Sequence, residues 1–389
     1  MFKRLVSIAL VGTMIGCAAP EPPSDQAAPT PDANSAAHAA SGNADERAAL
    51  AAGSTLPQPV NVVDLLSCET IGGMTPHCGY KNPEDLVHIP DTDLLIVSEM
   101  GEFMADSPGT LSLLNTATGK RETLSIDWTG AAESWGERDC PAPQSAAFSP
   151  HGIDLVRRET GDLSLLVVNH GGRESIEFFA VSPTGDLAWR GCAMPPGDPF
   201  LNDVAARQDG GFYVTHMWNK SGKFDEIVAN LLGGVATGWV WAWTAEGGFV
   251  QLPQTNDLMP NGIAIDAEDK TLYVNLYFGN KTFAFDLSTN TRGPEAELRQ
   301  PDNVSVDPDG TLWIASHQHD AIQQACTGVT QGPCLLPFQV VTINPDTFES
   351  KSVLDHAGSP MGYATVALKV GNRIYLGTAH GDRVVSIEL

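Results

Sequence analysis

From about residue 59 onward, apolar and polar positions alternate in short runs that break at Gly, Asp and Asn, with little recurrence at helical spacing. In DNVSVDPDGTLWIASH, starting at Asp302, VSVD and LWIA are two β-like runs hinged on a D-G turn. That pattern predicts a hairpin. The unit returns as PEDLVHIPDTDLLIVSE from Pro83, SPHGIDLVRRETGDLSLLVVNH from Ser149 and NDVAARQDGGFYVTH from Asn202. NGIAIDAEDKTLYVNL from Asn261 and MGYATVALKVGNRIYLGTAH from Met361 complete the set. The leading corners, at 84, 151, 202, 261, 302 and 361, lie roughly 55 residues apart, a spacing suited to long propeller blades. The pattern predicts an all-β chain folded as a six-bladed β-propeller over residues 59–389. A sandwich has no reason to repeat, and a Rossmann or barrel enzyme would need helices between strands. Only short patches such as Phe224 to Leu231 carry an ambiguous helical period.

In such a ring the innermost strands converge on one channel, so corners distant in sequence can build one site. These corners carry Glu84-Asp85, His151, Asn202-Asp203, Asn261 and Asp302-Asn303. Any one of them alone reads as an ordinary turn residue. The recurrence of oxygen-bearing side chains at one repeat position points to a hard cation, because Ca2+ takes about six to eight oxygen ligands. Glu84, Asn202, Asn261, Asp302 and Asn303 form the expected set. Zinc would prefer His or Cys ligands and fewer of them.

The amino terminus adds a location. Lys3 and Arg4 precede an apolar run from Leu5 to Ile15 that is short for a membrane span and suits an export signal. Gly16-Cys17 ends it like a lipoprotein processing site. Residues 1–16 are therefore expected to be a signal peptide and Cys17 the lipidated residue. Residues 17–58, rich in Ala, Pro and Ser, are expected to be a disordered tether. The implied location is the bacterial cell envelope, on the outer membrane and facing the periplasm or surface, with membrane contact through the lipid anchor. The chain carries 47 acidic against 22 basic residues, a net charge of -25, which argues against a nucleic-acid partner. Setting Cys17 aside, Cys68, Cys78, Cys140, Cys192, Cys326 and Cys334 remain. An oxidising compartment favours disulfides among them. Short separations favour Cys68–Cys78 and Cys326–Cys334, leaving Cys140–Cys192.

Four segments carry a family resemblance: PEDL at Pro83, FSPHGI with LLVVNH at Phe148 and Leu165, LNDV with PNGI, and PDNVSVDPDGTLW at Pro301. From about Leu66 to Leu389 the chain resembles the calcium-dependent paraoxonase/arylesterase/lactonase family, within the gluconolactonase- and regucalcin-like propellers. The resemblance implies two calcium ions. The catalytic one falls on the five oxygen ligands above, and a structural one on Asp85, Asp203 and the carbonyl of Ile153. It implies a histidine dyad, His151 and His170, and a further active-site histidine, His317. The family disulfide between the two ends of the domain is missing its second cysteine, since Ile387 stands there. The closing clasp is thus expected to be noncovalent, with Cys68 free for Cys78. The insert at Ala131 to Gln144 and the stretch Trp239 to Trp243 have no counterpart in the family pattern.

The implied activity is hydrolysis of a small-molecule lactone or aryl ester, with calcium polarising the carbonyl and the dyad activating water. Glu84 or Asp302 is the rival base. A sugar-lactone hydrolase and a noncatalytic, calcium-stabilised scaffold are the alternatives. His216 and Trp218 are candidate pocket residues. His319 is read as incidental, His380 as structural, and Asp307-Pro308-Asp309-Gly310 as a hairpin turn, since the EF-hand spacing is absent. No G-x-S-x-G occurs to suggest a serine enzyme.

Overall fold

The innermost strands of six sheets, Pro83–His88, Pro150–Arg157, Pro199–Ala206, Pro260–Ile265, Pro301–Val306 and Ala364–Val370, pack side by side in a closed ring. The computed structural model describes residues 66–389 apart from 103–106, 131–133, 323–325, 327–328 and 330. The expected signal peptide, Cys17 and the tether of 17–58 lie outside the described residues. The described part is a six-bladed β-propeller.

Each blade runs outward as antiparallel strands, and burial follows that order. The second strands, such as Leu94–Glu99 and Leu312–His317, are covered on both faces and read as near-continuous apolar runs. Outer strands such as Lys120–Thr123 and Ser350–His356 are largely exposed and polar. Blade two gains a short parallel strand, Ile126–Asp127, on its outer edge. Apolar clusters fill the spaces between neighbouring blades. One joins Ile96 and Leu113 of blade one to Val167 and Phe179 of blade two. Another joins Val366 and Tyr375 of blade six to Leu95 and Leu114 of blade one.

The ring closes on blade six, whose outermost strand, Met74–Cys78, comes from the start of the domain and pairs antiparallel with Arg383–Glu388. Ile387 lies opposite Met74 in that ladder, so the clasp is noncovalent. Cys68–Cys78, Cys140–Cys192 and Cys326–Cys334 are all disulfides. Asp307 to Gly310 forms the expected turn, in which the Asp307 carboxylate accepts the N–H groups of Asp309 and Thr311, and Gly310 takes φ +86°.

One irregularity recurs in every blade and matters for function. The ladder between the first and second strands slips at residues 83–85, 150–153, 201–204, 260–263, 301–304 and 364–366. Such bulges re-aim side chains that a regular strand would place on a blade face. They coincide with the oxygen-bearing corners of blades one to five. In blade six the bulge lies at Thr365, further along than the corner expected at Met361, which is instead buried in the core. Gly152 and Gly262 sit in two bulges because the neighbouring inner strand passes very close. A Cβ on Gly152 would lie 2.5 Å from the Asn202 carbonyl oxygen, and one on Gly262 would lie 2.3 Å from that of Asp302.

Candidate functional site

The bulges bring Glu84, His151, Asn202, Asn261 and Asp302 together at the base of a cavity of about 490 Å3. Asn303 joins them by donating from Nδ2 to Glu84 Oε1 at 2.8 Å. All of these side chains are buried. Each of the three asparagines turns its amide nitrogen towards a neighbour: Asn202 towards Met217 Sδ, Asn303 towards Glu84 and Asn261 towards Asp302. Their oxygens are left over. Asn202 Oδ1, Asn261 Oδ1, Asn303 Oδ1 and Glu84 Oε2 are buried with no hydrogen-bond partner among the described residues. An unpartnered buried acceptor costs about 1–3 kcal/mol, so four in one place call for a ligand that accepts oxygen lone pairs. Hard oxygen donors with two carboxylates fit a calcium-like cation. Among the described residues no group of three His, Cys, Asp or Glu side chains could hold a metal ion, and three of the five expected ligands, Glu84, Asn202, Asn261, Asp302 and Asn303, are asparagines.

The deeper pair is different. Asp85 accepts N–H donors from Leu86 and Ile153, and Asp203 from Val204 and Ile263. Both carboxylates thus stitch one blade to the next, and Ile153 enters through its N–H. The unfilled-acceptor argument therefore supports one ion and does not extend to a second. Burial, reinforced by neighbouring carboxylates, pushes Asp85, Asp203 and Asp302 well above the usual carboxylate range.

His151 and His170 meet, Nδ1 to Nε2, at 2.7 Å. His151 Nε2 lies 3.7 Å from Glu84 Oε1, at the cavity floor. Behind the pair stands Glu174, with both carboxylate oxygens 2.9 Å from His170 Nδ1. Lys220 Nζ approaches Glu174 Oε1 at 2.7 Å. Burial lowers the pKa of His170 against the opposing pull of Glu174. Glu174 was not singled out from the sequence, although its place four residues after His170 in HGGRE is a usable signal.

Other expectations are redistributed. His317 is fully buried, donating from Nε2 to the Ala364 carbonyl at 2.9 Å and accepting from the Tyr277 hydroxyl at Nδ1, also 2.9 Å. Burial takes its pKa to about 3. His317 is absent from the cavity lining, whereas His319 and His380 belong to it. The physical reason is that the strand ends at His317, so His319 lies beyond it, and that the Tyr277 and Tyr363 rings cover His317. Trp218 lines the cavity. His216 packs on Trp239, ring centroids 4.1 Å apart, and lines neither this cavity nor the adjoining one. Trp243 is buried between blades two and three with Trp241 packed against it, so that stretch is core. The ambiguous patch is a helix, Phe224–Leu232. Its Phe224, Ile227, Val228 and Leu231 form an apolar cavity wall facing Tyr277 and Met259.

Residues 155–343 match the family described as SMP-30/Gluconolactonase/LRE-like region. Mechanosensory abnormality protein 6 of Caenorhabditis elegans is 27% identical over 176 residues, 44% of this chain and 46% of that protein. The match thus spans a little under half the length of that relative. Among solved structures, a gluconolactonase from Xanthomonas campestris is 16% identical, with 81% of this chain and 89% of that one covered at a TM-score of 0.50. A calcium-binding regucalcin from Agrobacterium tumefaciens is 13% identical, with 80% and 91% covered at a TM-score of 0.46. Residues 155–343 thus match that family's sequence region, and the chain shares the fold of the gluconolactonase structure.

Proposed function

We propose, taking the SMP-30/gluconolactonase/LRE-like region of residues 155–343 as premise, that this chain is a calcium-dependent hydrolase of lactones and related carboxylic esters. The observation that carries the reading is the group of four unpartnered acceptor oxygens beside a buried histidine pair. Glu84, Asn202, Asn261, Asp302 and Asn303 would hold the ion. When bound, calcium supplies Lewis-acid polarisation of a carbonyl and charge for its developing oxyanion. His151 presents Nε2 at the cavity floor, where it takes the proton of a water, and His170 orients His151 from behind.

An apolar cavity built from Phe224, Ile227, Leu231, Met217, Met259 and Trp218 favours alkyl or aryl lactones over polyhydroxylated sugar lactones. The three disulfides support export to an oxidising compartment.

The test is hydrolysis of a long-chain γ-lactone by the full chain with calcium, after chelation, and after calcium is restored. Turnover lost and regained supports the reading. A folded, calcium-loaded chain without turnover on lactones or aryl esters would leave the noncatalytic scaffold standing.

A further inference from the structure

We propose that Glu174, braced by Lys220, is a positioning residue that fixes where the protons of the His170–His151 pair reside, so that an unprotonated Nε2 of His151 faces the channel. The proposal rests on the pair acting as the base of a hydrolase.

Each step follows from hydrogen-bond capacity. An ionised carboxylate only accepts, so His170 Nδ1, 2.9 Å from both Glu174 oxygens, carries a proton. A neutral His170 ring then has a bare Nε2. Its partner at 2.7 Å is His151 Nδ1, which must therefore donate. A neutral His151 is left with its lone pair on Nε2, on the side of Glu84 and the cavity. Reversing the first assignment reverses the rest, and His151 would then present an N–H where a base is needed.

The surroundings hold Glu174 in this role. Lys220 Nζ lies 2.7 Å from Oε1, and the Leu201 N–H donates to Oε2 at 3.3 Å. Burial works against the charge of Glu174, but His170 and Lys220 outweigh it, and the carboxyl sits below its usual range. The His170 ring stacks on Phe200 with centroids 4.6 Å apart, which fixes its plane.

The proton accounting closes. As a water oxygen adds its electron pair to the carbonyl carbon, its O–H bond breaks and an N–H bond forms at His151 Nε2. His151 Nδ1 gives its own proton to His170 Nε2, and the resulting imidazolium lies against the Glu174 carboxylate. His170, Glu174 and Lys220 also line a second cavity of about 630 Å3, which adjoins the helix-walled one through Met100, Glu102 and Trp218.

The test is 15N spectroscopy of the full chain labelled at histidine, with His151→Asn and His170→Asn used to assign the two rings. The expected native result is a proton on Nδ1 of both rings. Glu174→Met should move proton population on His170 to Nε2 and lower kcat about 10²–10⁴-fold with KM little changed. His170→Asn should add little loss in that background. Lys220→Met, which keeps the carboxylate, should retain the native tautomers. A native His170 protonated on Nε2, or Glu174→Met with both tautomers unchanged, would overturn the proposal. The native-chain measurement needs no substitution, so it decides even if a variant does not fold. It also reads independently of turnover, which separates failure of the relay from failure of the hydrolase reading.

Discussion

His77 Nε2 and Ser386 Oγ meet at 2.9 Å across 309 positions of sequence, at the seam where the ring closes. His77 Nδ1 donates to the Gly119 carbonyl at 3.0 Å, which leaves Nε2 to accept from the serine hydroxyl. The outermost strand of blade six is thereby tied both to the last strand and to blade one. This tie works where the resemblance to paraoxonases would have placed a disulfide.

Ser386→Ala should leave the buried Nε2 without its donor and cost about 1–3 kcal/mol. The urea midpoint should fall with the slope unchanged, since the exposed surface on unfolding is the same. A native midpoint would show that the ladder alone holds the seam.

Acid should weaken the ring through its buried imidazoles. Burial pushes His317 down to about 3 and His216 to about 4. Unfolded, both return to about 6.5 and bind protons that the native chain does not. Their contribution is complete above about pH 6.5 and is lost as pH falls towards 4 and then 3. Asp154 acts in the opposite sense. Burial raises it to about 6, so its contribution fades as pH rises from about 4 through 6. Asp85, Asp203 and Asp302, also raised by burial, oppose the histidines as Asp154 does. The check is therefore comparative: melting temperature on the acid limb should fall less steeply in His317→Gln than in the native chain. An unchanged limb would assign the acid loss elsewhere.

Chelation should lower the melting temperature, and calcium should restore it. An ion bound only by the native state adds about 2.7 kcal/mol at a hundredfold excess over its Kd. Burial, with the charge of Glu84, raises Asp302 well above the ordinary range, so protons compete with the ion. The calcium increment should therefore be larger at about pH 8 than at about pH 6. Identical melting with and without chelator would contradict the cation site.

Removing disulfides should rank by the loop each one closes. Cys140–Cys192 spans 52 positions, against 10 for Cys68–Cys78 and 8 for Cys326–Cys334. Loop entropy assigns about 4 kcal/mol to the first and about 2.5 kcal/mol to each of the others. Pairwise Cys→Ser variants compared by denaturant midpoint check the order, and a largest loss at either short loop would refute it.

The oxygen-bearing corners were legible because they repeat. Glu84, Asn202, Asn261 and Asp302 occupy one place in the hairpins of blades one, three, four and five, and a repeat in sequence becomes a ring in space. The sixth position was misplaced because its bulge residue, Thr365, bears no carboxylate or amide. It donates instead to the Glu84 backbone carbonyl at 2.6 Å. His317 and His319 show the limit of strand-level reasoning. His317 ends its strand and His319 lies two residues beyond it, and two tyrosines brought by other blades cover His317 while His319 lines the cavity.

The noncovalent clasp was what the family resemblance implied, while the sequence by itself determined the number of blades, their hairpins and the corners rich in oxygen. These follow from alternation, turn chemistry and residue identity, which are local. Only the tertiary structure decided that Glu174 and Lys220 stand behind His170, that Thr365 completes the ring of bulges, and that a helix from blade three walls the cavity. Apart from Glu174, which follows His170 by four residues, those are contacts between segments tens to hundreds of residues apart, set by how twisted blades pack around the channel, and no local period encodes them.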